Sequence, residues 1–118
     1  EDVRGKFDCI TITDVLYLLP YEEKSRALKT CYKLLKSGGM LIICELDTKP
    51  NLMFLLSYLE EIAMVKVLKY TYSDTREISF TDTRTYLKIL KNSGFKKITY
   101  KNLKALLPYE RVLYLVKK

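Results

Sequence analysis

Two short apolar runs rich in β-branched residues, FDCITIT at 7–13 and MLIICEL at 40–46, constrain this chain more than any other feature. Each is seven residues long and lacks a strict apolar–polar alternation, as expected of strands buried on both faces of a parallel sheet. Between them, a helix is predicted over about 21–36, with Ala27, Leu28, Cys31, Leu34 and Leu35 on one face. Glu22 and Glu23 occupy its first turn and Lys33 and Lys36 its last, an order that suits the helix dipole. Gly38 and Gly39 follow as a left-handed stop. Strand, helix and strand of this spacing form a parallel unit whose crossover is expected to be right-handed.

Downstream of Pro50, a longer helix over 51–69 carries an apolar stripe of Leu52, Leu55, Leu56, Leu59, Ile62 and Ala63, expected to pack in the core or at a subunit interface. The stretch TYSDTREIS is a polar connection, and Thr81 is the expected N-cap of a shorter helix that ends near Asn92 and is closed by Ser93 and Gly94. Residues 96–103 and 111–116 read as two strands, and the intervening KALLPYE is too long for a two-residue hairpin turn. The fold class is therefore α/β: a parallel strand–helix–strand unit, then helices, then a terminal antiparallel strand pair. A chain of 118 residues is one domain's worth and can bury about two thirds of its unfolded surface.

Composition removes several kinds of function. There is no histidine, hence neither the commonest general base nor the commonest metal ligand, and no metal site is expected. Cys9, Cys31 and Cys44 are odd in number, lie in apolar segments and have no CxxC spacing, which points to free thiols in a reducing cytoplasm. No apolar run approaches the roughly 20 residues that cross a bilayer, so a soluble protein with no membrane partner is expected. The formal charge of +7 raises the question of a polyanion ligand. Sixteen lysines against five arginines, spread along the chain, fit a solvated surface better than base readout, which favours the arginine fork. The ten tyrosines, among them Tyr70, Tyr72, Tyr86 and Tyr114, read as packing residues rather than a base-stacking platform.

In parallel sheets ligands bind beyond the carboxyl ends of the strands, and Asp14, Glu45 and Asp47 fall there. Asp14 is either a site residue or the cap of the next helix. Tyr17 either lines an acceptor pocket or packs between loop and sheet. Glu45 and Asp47 are either substrate-binding carboxylates or strand-end acids that are solvated or paired with a lysine. Asp8, at the opposite end, is structural.

The segments FDCITITDVLYLLP and LLKSGGMLIICELD, with a helix between, resemble strands four and five of class I S-adenosylmethionine-dependent methyltransferases. FTDTRTYLKILKNSGFKKIT resembles the family's next helix and sixth strand, and RVLYLVKK its antiparallel seventh strand. The resemblance covers nearly the whole chain and implies a Rossmann-like half-domain, residues 1–118 being the carboxyl-terminal half of a methyltransferase domain. It is nearest to small-molecule O-methyltransferases, in which a histidine commonly stands where this chain has Tyr17. The tetrad typical of methyltransferases acting on nucleic-acid amines is missing after the fourth strand, a further point against nucleic acid. The resemblance implies methyl transfer to a small molecule, with Asp14 and Tyr17 catalytic, Thr13, Asp14, Val15 and Leu16 at the cofactor, and Tyr17, Glu45 and Asp47 at the acceptor. The family's Gly-rich loop is not in this sequence, which has no GxG, so S-adenosylmethionine binding and turnover are expected only with the amino-terminal half. Either Glu1 is where a longer protein was cut, or this half stands alone or pairs with a separately encoded one. The strand at 7–13 is expected to be an open hydrophobic edge that the other half or a second copy covers. Two other classes of function stay open: a non-catalytic interaction module derived from a methyltransferase, and a basic polyanion-binding domain.

Overall fold

The computed structural model describes residues 5–46, 56, 59, 60, 63, 79, 81–103 and 111–118. Strand β1 (Phe7–Thr13) is followed by a single 3-10 turn (Leu16–Leu18), helix α1 (Tyr21–Leu34), strand β2 (Leu35–Leu46), helix α2 (Thr83–Asn92) and strands β3 (Lys97–Leu103) and β4 (Arg111–Lys117). The four strands form one sheet in the order β1-β2-β4-β3. β1 and β2 run parallel, joined through α1, with Ile10 opposite Leu41 and Ile12 opposite Ile43. β4 is antiparallel to both β2 and β3. The mixed α/β fold is thus the one expected, with the late strand β4 inserted beside β2 and β3 placed outermost.

One face of the sheet carries the core. Leu41 and Ile43 of β2 and Val112, Tyr114 and Val116 of β4 are buried against Leu28 of α1 and Tyr86, Ile89 and Leu90 of α2, with Leu16, Leu35 and Phe95 closing the cluster. The period of two along each strand selects these positions. β1 departs from the expectation of burial on both faces: Ile10 and Ile12 are half-buried against the core, but Phe7, Cys9, Thr11 and Thr13 are exposed. The reason is its place in the sheet, where among the described residues it pairs with β2 alone and lies at the edge.

Two boundaries also differ from expectation. α1 stops at Leu34 and passes directly into extended backbone at Leu35, so the glycines do not end the helix. They lie inside a break in the strand register, where Phe7 pairs with Leu35 and Cys9 with Met40. Gly38 turns the chain at φ 75° within that excursion, and Gly39 lies against backbone: a Cβ there would meet Lys36 O at 3.0 Å and Asp8 O at 3.2 Å. Asp8 is the structural residue expected, both its carboxylate oxygens accepting from Lys36 Nζ at 2.9 and 2.8 Å. The end of α1 is instead capped from β4's side, by Lys118 Nζ donating to the carbonyls of Tyr32 (2.6 Å) and Leu35 (2.7 Å).

The N-cap of α2 is Asp82, not Thr81; its carboxylate accepts from Thr85 N at 3.0 Å. Ser93 closes the helix and Gly94 follows at φ 107°, as expected. Of the helix expected over 51–69, Leu56, Leu59 and Glu60 are helical and both leucines are exposed; Leu52, Leu55 and Ile62 lie outside the described residues, as do Tyr70, Tyr72 and the 104–110 connection.

Candidate functional site at the carboxyl ends of the parallel strands

Where β1 ends, the chain makes a sharp departure. Asp14 has φ 50°, a left-handed conformation that a short polar side chain tolerates better than most. Its N–H still donates to Cys44 O of β2 at 3.0 Å, so the turn starts on the sheet. Its carboxylate forms an ion pair with Arg111, the first residue of β4. Arg111 reaches it because antiparallel pairing sets Arg111 opposite Leu46, at the carboxyl end of β2. The hydrogen bond donated to Asp14 holds the guanidinium's pKa above its ordinary value. Among the described residues Asp14 Oδ1 and Arg111 Nε are buried with no hydrogen-bond partner, although the two side chains together remain partly open to solvent.

Asp14 therefore does not cap the 3-10 turn that comes after it. That task falls to Glu45, which reaches across from β2: its Oε1 accepts from Val15 N at 3.2 Å and Leu16 N at 2.9 Å, the two N–H groups at the start of the turn. Glu45 sits on the helix-covered face of the sheet, in phase with Leu41 and Ile43, and is only 2 % exposed. Burial pushes its carboxyl above the usual carboxylate range; the two N–H donors and Lys24 pull it partly back, while the Asp14 charge adds to the rise. Oε2 is buried without a partner among the described residues. A carboxylate expected at the acceptor side is thus turned inward, where it shapes the loop through the backbone.

Lys24 is the residue that sequence reasoning missed altogether. It projects from the first half of α1, is fully buried, and donates through Nζ to Ser79 O, to Ser79 Oγ at 3.2 Å and to Thr81 Oγ1 at 2.6 Å. Burial lowers its pKa to about 8 against the opposing pull of Glu45. A signal was present: Lys24 lies four residues before Leu28 and so continues the apolar stripe of the helix towards its amino end. Ser79 in turn donates its N–H to Tyr17 O at 2.8 Å. Tyr86 of α2, also buried, has its phenol pKa raised by burial and by Glu45 and Tyr114. Its ring lies 5.4 Å from that of Tyr114, whose hydroxyl donates to Thr83 Oγ1 at 3.2 Å.

Of the residues singled out in the sequence, Thr13, Asp14, Val15, Leu16, Tyr17 and Glu45 come together at this end; Asp47 lies outside the described residues. They are not equally accessible. Thr13 and Val15 are exposed and Asp14 partly so, whereas Leu16 belongs to the core and Tyr17 is buried. Leu16 was expected to touch a cofactor by backbone and apolar contact; its side chain is in the core and its N–H is taken by Glu45, so it underlies the site rather than lining it. Arg111, which no local pattern marks, completes the polar set.

Comparison with known proteins gives the family and the fold. Residues 1–107 match the model of the family described as the ubiE/COQ5 methyltransferase family. The ubiquinone/menaquinone biosynthesis C-methyltransferase UbiE of Yersinia enterocolitica is 30% identical, over 82% of this chain and 42% of its own length. The chain thus spans less than half the length of the curated relatives it matches. Among solved structures, human N-acetylserotonin methyltransferase in complex with SAM superposes with a TM-score of 0.70 at 20% identity, over 100% of this chain and 31% of that one. Magnesium protoporphyrin IX methyltransferase from Synechocystis with bound SAH gives 0.60 at 25% identity, over 98% and 47%.

Proposed function

The chain belongs to the ubiE/COQ5 methyltransferase family, and we propose that it supplies the carboxyl-terminal half of an S-adenosylmethionine-dependent methyltransferase domain acting on a small molecule. The observation that carries this reading is the parallel β1–β2 pair with Thr13 and Val15 exposed and Asp14 partly exposed at its carboxyl end, one carboxylate oxygen of Asp14 having no partner among the described residues. An orphaned acceptor at a strand tip fits a ligand bearing donor groups.

When bound, the cofactor supplies an electrophilic sulfonium methyl. Thr13, Asp14 and Val15 would border it; Asp14, fixed by Arg111, orients donor groups rather than shuttling protons. Tyr17, and by its place in the sequence Asp47, are assigned to the acceptor, and Glu45 acts through the loop it holds. Methyl transfer runs largely on proximity and in-line orientation, so a rigid tip without a histidine suffices. The relatives' printed names favour a carbon acceptor of the kind used in quinone biosynthesis over the oxygen expected from the O-methyltransferase likeness. Among the described residues no helix is long and apolar enough to cross a membrane. Three free cysteines suit a reducing cytoplasm. The open edge of β1 takes a further strand, from the amino-terminal half of the domain or from a second copy.

Calorimetric titration of S-adenosylmethionine tests the proposal, into the chain alone and into its mixture with the amino-terminal part of a family member. Binding restored in the mixture is expected. A mixture that associates yet takes up no cofactor would instead identify a non-catalytic interaction module, and retention on nucleic acid that falls steeply with salt would favour a polyanion ligand.

A further inference from the structure

The 3-10 turn at the tip of β1 is held from two sides by buried charges of opposite sign. From β2, Glu45 takes the N–H groups of Val15 and Leu16, at the turn's start. From α1, the Lys24 ammonium takes three oxygens of Ser79 and Thr81, and Ser79 N–H takes the carbonyl of Tyr17, inside the turn. The chain from Lys24 to Tyr17 has one intermediary, Ser79. Lys24 is buried while Ser79 and Thr81 are half-buried, and a buried lysine is costly unless its protons are all directed to acceptors. Here three acceptors are supplied, two side-chain oxygens and one carbonyl, and they come from residues 55 and 57 positions later in the sequence.

We propose that Lys24 is a positioning residue for the site, clamping Ser79 and Thr81 so that the Asp14–Tyr17 tip is held in a single shape. This rests on reading the tip as the place where methyl donor and acceptor meet. Lys24 touches neither; it acts through Ser79 on Tyr17, opposite the grip of Glu45. A lysine placed there for its alkyl chain alone would need no convergent oxygens, and a lysine placed for surface charge would not be fully buried.

The charged and titratable groups around this network are Glu45 from β2, which acts directly on Lys24, Asp14 from the tip, which acts on Glu45, and Tyr86 from α2, on which Glu45 acts. Of these, Lys24 is the group with a pKa of about 8. The test is an amide NMR titration of the 118-residue chain from pH 6 to 9.5, with amide exchange measured alongside. In the wild type the Ser79, Tyr17 and Leu16 amides are expected to shift together with a midpoint near 8, and in Lys24→Met this transition disappears. Exchange at Ser79 N is expected to speed roughly tenfold in Lys24→Met, the loss of a charged hydrogen bond, while Ser93 N, bonded within α2, stays within about twofold. Should Lys24→Met not fold, Thr81→Val, which removes one acceptor of Lys24, supplies the exchange comparison at Ser79 N instead. A wild-type chain in which Ser79 shifts as Lys24 titrates but Tyr17 and Leu16 do not, or a variant in which exchange at Ser79 N is unchanged, overturns the clamp. No cofactor enters these measurements, so their outcome stands apart from that of the S-adenosylmethionine titration.

Discussion

The two ends of the sheet solve the same problem, charged groups beside strand termini, in opposite ways. At the amino end of β1, Asp8 and Lys36 meet at 2.8 Å with side chains 84% and 50% exposed, and the nearby Lys118 is spent on the carbonyls that end α1. Every partner is supplied and water screens the rest. At the carboxyl end, Asp14, Glu45, Lys24 and Arg111 are buried or partly buried, Asp14 sits in a left-handed conformation, and Asp14 Oδ1, Glu45 Oε2 and Arg111 Nε are without partners among the described residues. An end built only for stability would resemble the first. Unpaired buried polar atoms and local strain accumulate where a structure must present chemistry to something else.

Substitutions at the two ends should separate in size if this contrast is real. Glu45→Ala removes the acceptor from two N–H groups and should cost about 3 kcal/mol in urea unfolding, with Glu45→Gln recovering part of it by keeping an oxygen in place. Arg111→Met leaves Asp14 unpaired in a site that is more than half shielded and should cost about 2 kcal/mol. At the other end, Asp8→Asn should cost less than about 1 kcal/mol, and that difference should vanish in about 1 M salt. A cost at Asp8 equal to that at Glu45 would erase the contrast.

The pH dependence sharpens it further. Burial raises the Glu45 pKa in the folded chain, so the folded state holds that proton more tightly than the unfolded one. Its contribution is full below the unfolded value of about 4.3 and is lost as pH rises through the folded value. Lys24 has the opposite shift, from 10.5 to about 8, so its contribution is full above the unfolded value and is lost as pH falls through about 8. Chemical unfolding measured from about pH 4 upward should therefore show a decline in stability that Glu45→Gln abolishes, and a rise between about 8 and 10.5 that Lys24→Met abolishes. Flat profiles in the parent chain would mean that neither charge is effectively buried.

Much of the frame was legible because it arises from local pattern. The β-branched runs, the stripe of Leu28 and Cys31, and Ser93–Gly94 specify the elements and their order, and the tip of a parallel strand marks where ligand-facing residues gather. What stayed hidden depends on long-range geometry. Nothing local signals that Arg111 would meet Asp14 until β4 is known to lie beside β2, nor that Glu45 would cap a turn some thirty residues earlier. The glycine pair looked like a helix stop because that is its commonest use; the demand that it meets is instead the register break opposite Asp8. Thr81 and Asp82 are both good caps by type, and only the backbone settles that Asp82 takes the role while Thr81 answers Lys24.

Glu45 also bears on how β2 finds its place. Sliding the strand by one residue would carry the carboxylate to the opposite face and bring Cys44 or Leu46 under the helices, with the Val15 and Leu16 amides left unanswered in the interior. An all-apolar strand such as LIICL could tolerate that error, since its two faces are nearly interchangeable. One acid among them makes misalignment self-penalising, so the residue that fixes the tip also proofreads the assembly of the sheet.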